Sequence, residues 1–273
     1  MRSLLLFLAF LLPAALHHAN AGNAEIRVRD DATGRTVARL EAFTYLPSGK
    51  GPFPVLVLSH GSAGGSPKAS ISWKRDGRHW AKQGYLVVAP MRQGRGKSSG
   101  ISPESEEKDC DVEHWHDALP LSFADLDATI EYTRSLPLAR QDGVTLIGVS
   151  RGGFLSVAYA AEGKHRSRVR AVVNFVGGWT AQAEDQCPVD FNLAAFARYG
   201  ANAKAPMIWL YGARDLFYGD DAVHQYVDAF SHAGGNLEFH FFPGVPENGH
   251  WLPSYPARWQ SVVDAFLRAN NAP

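Results

Sequence analysis

The chain has 273 residues, with 27 basic and 27 acidic side chains and 45% hydrophobic content. That length suits one large α/β domain, and the even charge balance excludes a surface built to bind nucleic acid or another polyanion. Two isolated cysteines make a poor zinc site.

Arg2 precedes the apolar run Leu4 to Leu16, interrupted by Pro13, and Ala19-Asn20-Ala21 offers a small-x-small cleavage site. This reads as a secretory signal peptide over residues 1–21, followed by a single domain over 22–273 in a periplasmic or secreted protein. The run is too short for a stable membrane span, and no later segment reaches the ~20 apolar residues one needs. In an oxidising compartment Cys110 and Cys187, both in polar stretches, are expected to form a disulfide.

Glu25–Arg29 and Thr36–Tyr45 alternate weakly around the turn Asp30-Asp31-Ala32-Thr33-Gly34, predicting an antiparallel hairpin at a sheet edge. Val55–Leu58 is continuously apolar, as a strand covered on both faces should be. It runs into the glycine-rich connection His60-Gly61-Ser62-Ala63-Gly64-Gly65. A helix is predicted over Ile71–Gln83 and a buried strand over Tyr85–Ala89. Residues 91–120 are polar and punctuated by Gly, Ser and Pro, and read as a loop insertion.

Phe123, Leu126, Ile130 and Leu136 then mark a helix from Phe123 to Leu136. Val144–Val149 is a strand, and Gly152–Glu162 a helix. Val169–Val176 is a further strand, followed by a second insertion over 177–205. Met207–Tyr211 is a strand, Asp220–His232 a helix with Val223, Val227 and Phe230 on one face, and Leu237–Phe242 the last strand. Pro256–Ala269 closes the chain as a helix burying Trp259, Val262, Val263 and Phe266. This alternation predicts an α/β fold with a mostly parallel central sheet and helices on both faces.

Gly148-Val149-Ser150-Arg151-Gly152 follows an apolar strand and opens a helix. Such a turn brings the residues two before and two after the serine together, so glycines are needed there, and the hydroxyl stands clear of the sheet. An alcohol needs a base within hydrogen-bond reach to become nucleophilic. His250 lies just beyond the last strand, and Asp215 just beyond the strand before it, placed to orient an imidazole. The order Ser150, Asp215, His250, each after a strand on the same side of a parallel sheet, is the order of α/β-hydrolases. Asp220 and Asp221 compete for the acid role but also suit a helix cap and first turn.

With these motifs the chain resembles an α/β-hydrolase of the dienelactone-hydrolase-like and related serine esterase or peptidase group, over nearly all of residues 22–273. The resemblance implies that His60-Gly61-Ser62-Ala63-Gly64 is an oxyanion loop. Backbone N–H groups of Arg151 and of Gly61 or Ser62 then receive the oxyanion. Dienelactone hydrolases proper often carry cysteine where this chain has Ser150, which favours a general carboxylic ester over a dienelactone. The mechanism implied is acyl transfer through an acyl-enzyme, acting on a small-molecule ester with no cofactor, no nucleic acid and no obligate protein partner. Peptidase or amidase activity and a noncatalytic binding protein on the same scaffold are the alternatives.

His60, Trp179, Phe217, Tyr218 and Trp251 adjoin the expected catalytic loops and are candidates for a substrate wall. The Arg151 guanidinium suits packing at the helix start or, alternatively, a carboxylate-bearing substrate. Met91-Arg92-Gln93-Gly94-Arg95-Gly96-Lys97-Ser98-Ser99-Gly100 resembles the Arg-Gly loop of hydrolases of this fold and lacks the setting of a nucleotide site. The crowding of Asp109, Asp111, Glu113, His114, His116 and Asp117 lacks convincing ligand geometry and reads as a solvated loop, so no metal is expected.

Overall fold

The computed structural model describes residues 20–62, 66–102, 112–179 and 190–271. Residues 1–19, Cys110 and Cys187 lie outside this set, and with them the expected disulfide and all of the expected leader but Asn20 and Ala21, which are in the first strand.

Eight strands form one sheet: β1 (Asn20–Arg29), β2 (Thr36–Leu46), β3 (Phe53–Ser59), β4 (Leu86–Pro90), β5 (Ala139–Val149), β6 (Val169–Phe175), β7 (Met207–Gly212) and β8 (Leu237–Phe242). Their spatial order is β1-β2-β4-β3-β5-β6-β7-β8. β1 pairs antiparallel with β2, and β2 with β4, while every later pairing is parallel. The hairpin read from residues 25–45 is therefore at one sheet edge. Val55 to Leu58, all of β4 and all of β7 are buried, so both sheet faces are covered.

The helices are α1 (Lys74–Lys82), α2 (Val112–Ser135), α3 (Arg151–Glu162), α4 (Asp190–Asn202), α5 (Asp220–His232) and α6 (Pro256–Asn271). α1 and α6 meet through Trp80 and Trp259, with ring centroids 6.4 Å apart. Trp80 Nε1 also donates to Asp264 at 3.3 Å, and Gln83 Nε2 donates to the same carboxylate at 2.8 Å. The other four helices pack as a second layer, α2 on α3, α3 on α4, and α4 on α5. Phe154 of α3 anchors that layer, contacting Phe196 at 5.3 Å and Tyr199 at 5.7 Å.

Three boundaries differ from the sequence reading. α1 begins at Lys74 because Trp73 takes φ 55, a left-handed conformation that cannot belong to the helix. Residues 91–120 are not all loop, since α2 starts at Val112 and continues through Pro120. Proline forfeits one helical N–H there, and the long apolar face beyond it (Leu126 and Ile130, both buried) sustains the helix. The second insertion likewise contains a full helix, α4, whose Phe196 and Tyr199 are fully buried.

Candidate active site

The carboxyl ends of the central strands carry the candidate residues. Among the described residues, five non-glycine positions have positive φ, and four of them lie in these loops: Ser150 after β5, Val176 after β6, Arg214 after β7 and Glu247 before His250. Strain concentrated in this way marks loops that the surrounding structure holds in sparsely populated conformations.

Ser150 has φ 54 and ψ −124 and precedes the first residue of α3. Its N–H donates to Phe175 O at 2.8 Å, and its carbonyl accepts from Phe154 N at 3.0 Å. The turn is closed to side chains. A Cβ on Gly148 would lie 2.0 Å from Gly152 O, and one on Gly152 would lie 2.2 Å from Ser59 O. The strand-to-helix elbow thus exists because both flanking positions are glycine.

Asp215 and His250 arrive from the ends of β7 and β8. His250 Nδ1 is 2.8 Å from Asp215 Oδ2, with the Asp215 side chain wholly buried. The other carboxylate oxygen accepts Phe217 N at 2.8 Å and Tyr218 N at 3.2 Å, so the acid is held by its own loop. Asn248 ties the two loops together: its Oδ1 accepts His250 N at 2.9 Å and Leu216 N at 3.0 Å. Gly212 and Gly249 let those backbones touch, for a Cβ on Gly249 would lie 2.2 Å from Gly212 O. Asp220, the competing acid, instead accepts Arg214 N at 2.7 Å. His240 pairs with Glu238 on β8.

Tyr218 is buried beside this pair. Its ring lies 5.7 Å from that of His250. Phe217 stands against the same imidazole at 4.5 Å and Trp251 at 5.9 Å. Phe217 is half-buried and Trp251 is 45% exposed, so both offer apolar surface beside the imidazole.

Gly61 lies on the other flank of the serine, where its Cβ would be 3.1 Å from Ser150 Cβ. Ser62 next to it is exposed. Behind this loop stands a buried polar brace. His60 Nε2 accepts Arg92 N at 3.0 Å, so Nδ1 carries the proton and donates to Gly61 O at 2.8 Å. The Arg92 guanidinium donates to the carbonyls of His60 and Gly61. Gln93 in turn donates to Asp125 of α2, through N at 2.9 Å and Nε2 at 2.8 Å. Burial pushes the Asp125 carboxyl up to about 7, against the two Gln93 hydrogen bonds and the Arg92 charge.

Two substrate-wall candidates occupy other places. His60 is 1% exposed with both ring nitrogens engaged, and so offers neither to a substrate. It fixes the loop instead. Trp179 is 8% exposed, and its ring covers the Arg151 guanidinium with 4.4 Å between the guanidinium carbon and the ring centroid. The Trp179 carbonyl accepts from Arg151 Nη2 at 3.1 Å. Asn248, Gln93 and Asp125 were not singled out from the sequence. Each had a local signal: an Asx residue two before His250, and polar groups beside an Arg-Gly loop or among the apolar positions of α2.

Residues 40–250 match the dienelactone hydrolase family. The chain belongs to that family. A provisionally named carboxymethylenebutenolidase of Methylorubrum extorquens is 26% identical over 257 residues, spanning 90% of this chain and 80% of the relative. Among solved structures, the Pyrococcus furiosus esterase Pf2001 superposes with a TM-score of 0.66 at 17% identity, covering 93% of this chain and 92% of the esterase. The Pyrococcus horikoshii acylaminoacyl peptidase gives 0.65 at 16% identity, with 93% of this chain matching only 42% of the peptidase. These likenesses establish the α/β-hydrolase fold, and this dienelactone hydrolase family member is a hydrolase by membership. No described helix is long and apolar enough to cross a membrane. Among the described residues no group of three or more His, Cys, Asp or Glu could hold a metal ion. Asp109 and Asp111 lie outside that set, as do the side chains of Glu113, His114, His116 and Asp117.

Proposed function

We propose that this family member is a serine esterase that cleaves small or medium carboxylic esters through an acyl-enzyme. The observations that carry the reading are the Asp215–His250 contact at 2.8 Å and the strained Ser150 elbow, all following carboxyl ends of strands of the one sheet. With its Nδ1–H directed to Asp215, the neutral imidazole keeps the Nε2 lone pair for the serine proton. Ser150 Oγ attacks the ester carbonyl, and its proton passes to His250. The carbonyl oxygen, now negative, is received by the N–H groups of Arg151 and of Gly61 or Ser62. His250 then protonates the departing alcohol and activates the water that releases the acid. Phe217 and Trp251 supply apolar wall on the histidine side. Each loss of an oxyanion donor costs on the order of 3 kcal/mol in the transition state, which gives the brace behind Gly61 a direct link to rate.

The test is a panel of p-nitrophenyl esters and aminoacyl p-nitroanilides run on wild type and Ser150→Ala, with fluorophosphonate labelling followed by peptide mapping. Ester turnover lost in the variant, with label on Ser150 of the wild type, supports the reading. Anilide turnover exceeding ester turnover moves it to peptidase. Absence of both turnover and labelling in folded wild type moves it to a noncatalytic binding protein.

Export to the periplasm or medium, and a Cys110–Cys187 bridge formed there, belong to the same proposal. The support is the Leu4–Leu16 apolar run and the Ala19-Asn20-Ala21 site. Intact-mass measurement before and after reduction, on protein recovered from the exported fraction, reads both. A full-length mass, or two free thiols, overturns the corresponding part.

A further inference from the structure

We propose that the outer edge of β8 is a dimer interface, on which a second copy of this chain adds its own β8 antiparallel, about a twofold axis through Phe239. The inference is independent of the esterase reading above.

β8 is the last strand of the sheet, and among the described residues no strand pairs with its outer edge. Its sequence, Leu237-Glu238-Phe239-His240-Phe241-Phe242, holds neither the proline nor the lysine by which edge strands are commonly blunted. Glu238 is exposed and the other five residues are only partly buried, whereas β4 and β7 are buried throughout. Large apolar side chains therefore stand in a strand whose outer backbone groups are open to a further strand.

The backbone fixes which residues face outward. Asn236 O accepts from Met207 N at 3.0 Å, and Phe242 O accepts from Ala213 N at 2.9 Å. Between these bonds the β7–β8 register runs unbroken from Met207–Leu237 to Gly212–Phe242. The even-numbered residues of β8 thus turn their N–H and C=O groups to β7. Backbone groups alternate along a strand, so those of Leu237, Phe239 and Phe241 point away from the sheet. Side chains alternate between the two faces. Phe239 and Phe241 lie against His224 of α5, with ring centroids at 5.6 and 5.0 Å. Glu238 and His240 occupy the opposite face, where they pair with each other at 2.6 Å. There they help to line a groove of about 690 Å³ beside Val262 and Ala265 of α6.

Outward groups at odd positions allow only registers that pair odd residues with odd. A twofold centred on Glu238 sets that carboxylate against its own copy. One centred on His240 sets imidazole against imidazole and matches Leu237 with Pro243, which has no N–H to give. Registers centred further out bring Phe239 against Pro243, or against Gly235 in the turn after α5. A twofold centred on Phe239 is free of these conflicts. It sets Glu238 directly opposite the partner's His240, and His240 opposite the partner's Glu238. These are non-hydrogen-bonded pairs, in which side chains come closest, so opposite charges meet where like charges would repel. Leu237 meets the partner's Phe241, Phe239 meets the partner's Phe239, and each such pair exchanges N–H and C=O groups. Because the axis stands perpendicular to the sheet, the two grooves open on one face, and the partner's β8 extends the floor of each.

The experiment measures sedimentation equilibrium of the purified chain from low micromolar concentration to about 100 μM. Wild type should be a reversible dimer within that range. Glu238→Lys/His240→Lys places lysines opposite one another across the axis and should raise the dissociation constant at least about tenfold, with the circular dichroism spectrum retained. Glu238→Cys/His240→Cys should give a covalent dimer on oxidation, its disulfide mapped between positions 238 and 240, since Cα atoms of such pairs lie about 4.5 Å apart. Wild type that stays monomeric throughout would overturn the proposal. A dimer as tight in the lysine variant as in wild type would also overturn it, by placing the interface on another face. If the lysine variant does not fold, the cysteine variant decides alone: a covalent dimer through those positions supports the interface, and a variant that remains monomeric refutes it.

Discussion

Asp215 holds His250 Nδ1 at 2.8 Å with one carboxylate oxygen while its other oxygen accepts two backbone N–H groups of its own loop. Orientation of the acid is thus independent of the histidine. In Asp215→Asn the amide oxygen can keep the backbone bonds, leaving an N–H facing the imidazole. That forces the proton onto Nε2, the nitrogen needed as base. kcat for p-nitrophenyl acetate should fall about 10⁴-fold with little change in thermal midpoint. A loss below tenfold would mean that Asp215 is not the orienting acid.

Arg92 donates to the carbonyls of both His60 and Gly61. Lysine keeps the charge but replaces a planar fork by a single point donor. Arg92→Lys should therefore lower kcat about tenfold, by loosening the loop whose N–H groups are proposed to receive the oxyanion, with a smaller effect on KM. A proportionate rise in KM at constant kcat would assign Arg92 to substrate binding instead.

Asp125 is buried with its carboxyl pushed up to about 7. The folded form therefore binds a proton more tightly than the unfolded chain, whose carboxyl titrates near 3.8. Stability from this group is fully present below 3.8 and is lost as pH rises through about 7, by up to about 4 kcal/mol. Asp125→Asn should flatten that decline in urea midpoint against pH. Its own cost, from one acceptor lost to Gln93, should be about 1–3 kcal/mol. Parallel pH curves for variant and wild type would show that Asp125 does not titrate in this window.

Gly148 faces Gly152 across the elbow with no room for a methyl group, its Cβ falling 2.0 Å from a carbonyl oxygen. Gly148→Ala must displace backbone, at about 1–3 kcal/mol or more. Because the displaced segment carries Ser150, fluorophosphonate labelling should slow even in protein that remains folded. Wild-type labelling in a destabilised variant would show that the elbow absorbs the strain elsewhere.

The fold was readable because its signals are local. Val55–Leu58 and Met207–Tyr211 announce two-sided burial by unbroken apolar runs, and glycines at 148 and 152 announce a tight turn. The triad candidates were readable because a parallel sheet gathers the ends of its strands on one side, so chain order alone nominates them. α2 before Phe123, and α4, lay inside stretches read as insertions, and gain helical structure from burying Ala118 and Leu119, and Phe196 and Tyr199, against distant elements. His60 misled for a related reason: a histidine beside a catalytic loop looks available until its two ring nitrogens are traced to Arg92 and Gly61.

By itself the sequence determined the sheet, the elbow and the three residue types that hydrolysis calls for, since hydrophobic periodicity and glycine sterics act within a few residues. Only tertiary structure decided that Asn248 binds the acid and base loops together and that Asp125 holds Gln93, next to the Arg92 that braces the loop beside Ser150. The Gln93–Asp125 and Leu216–Asn248 bonds each join residues 32 positions apart. No pattern along the chain encodes such a bond until burial has removed the water that would otherwise satisfy it.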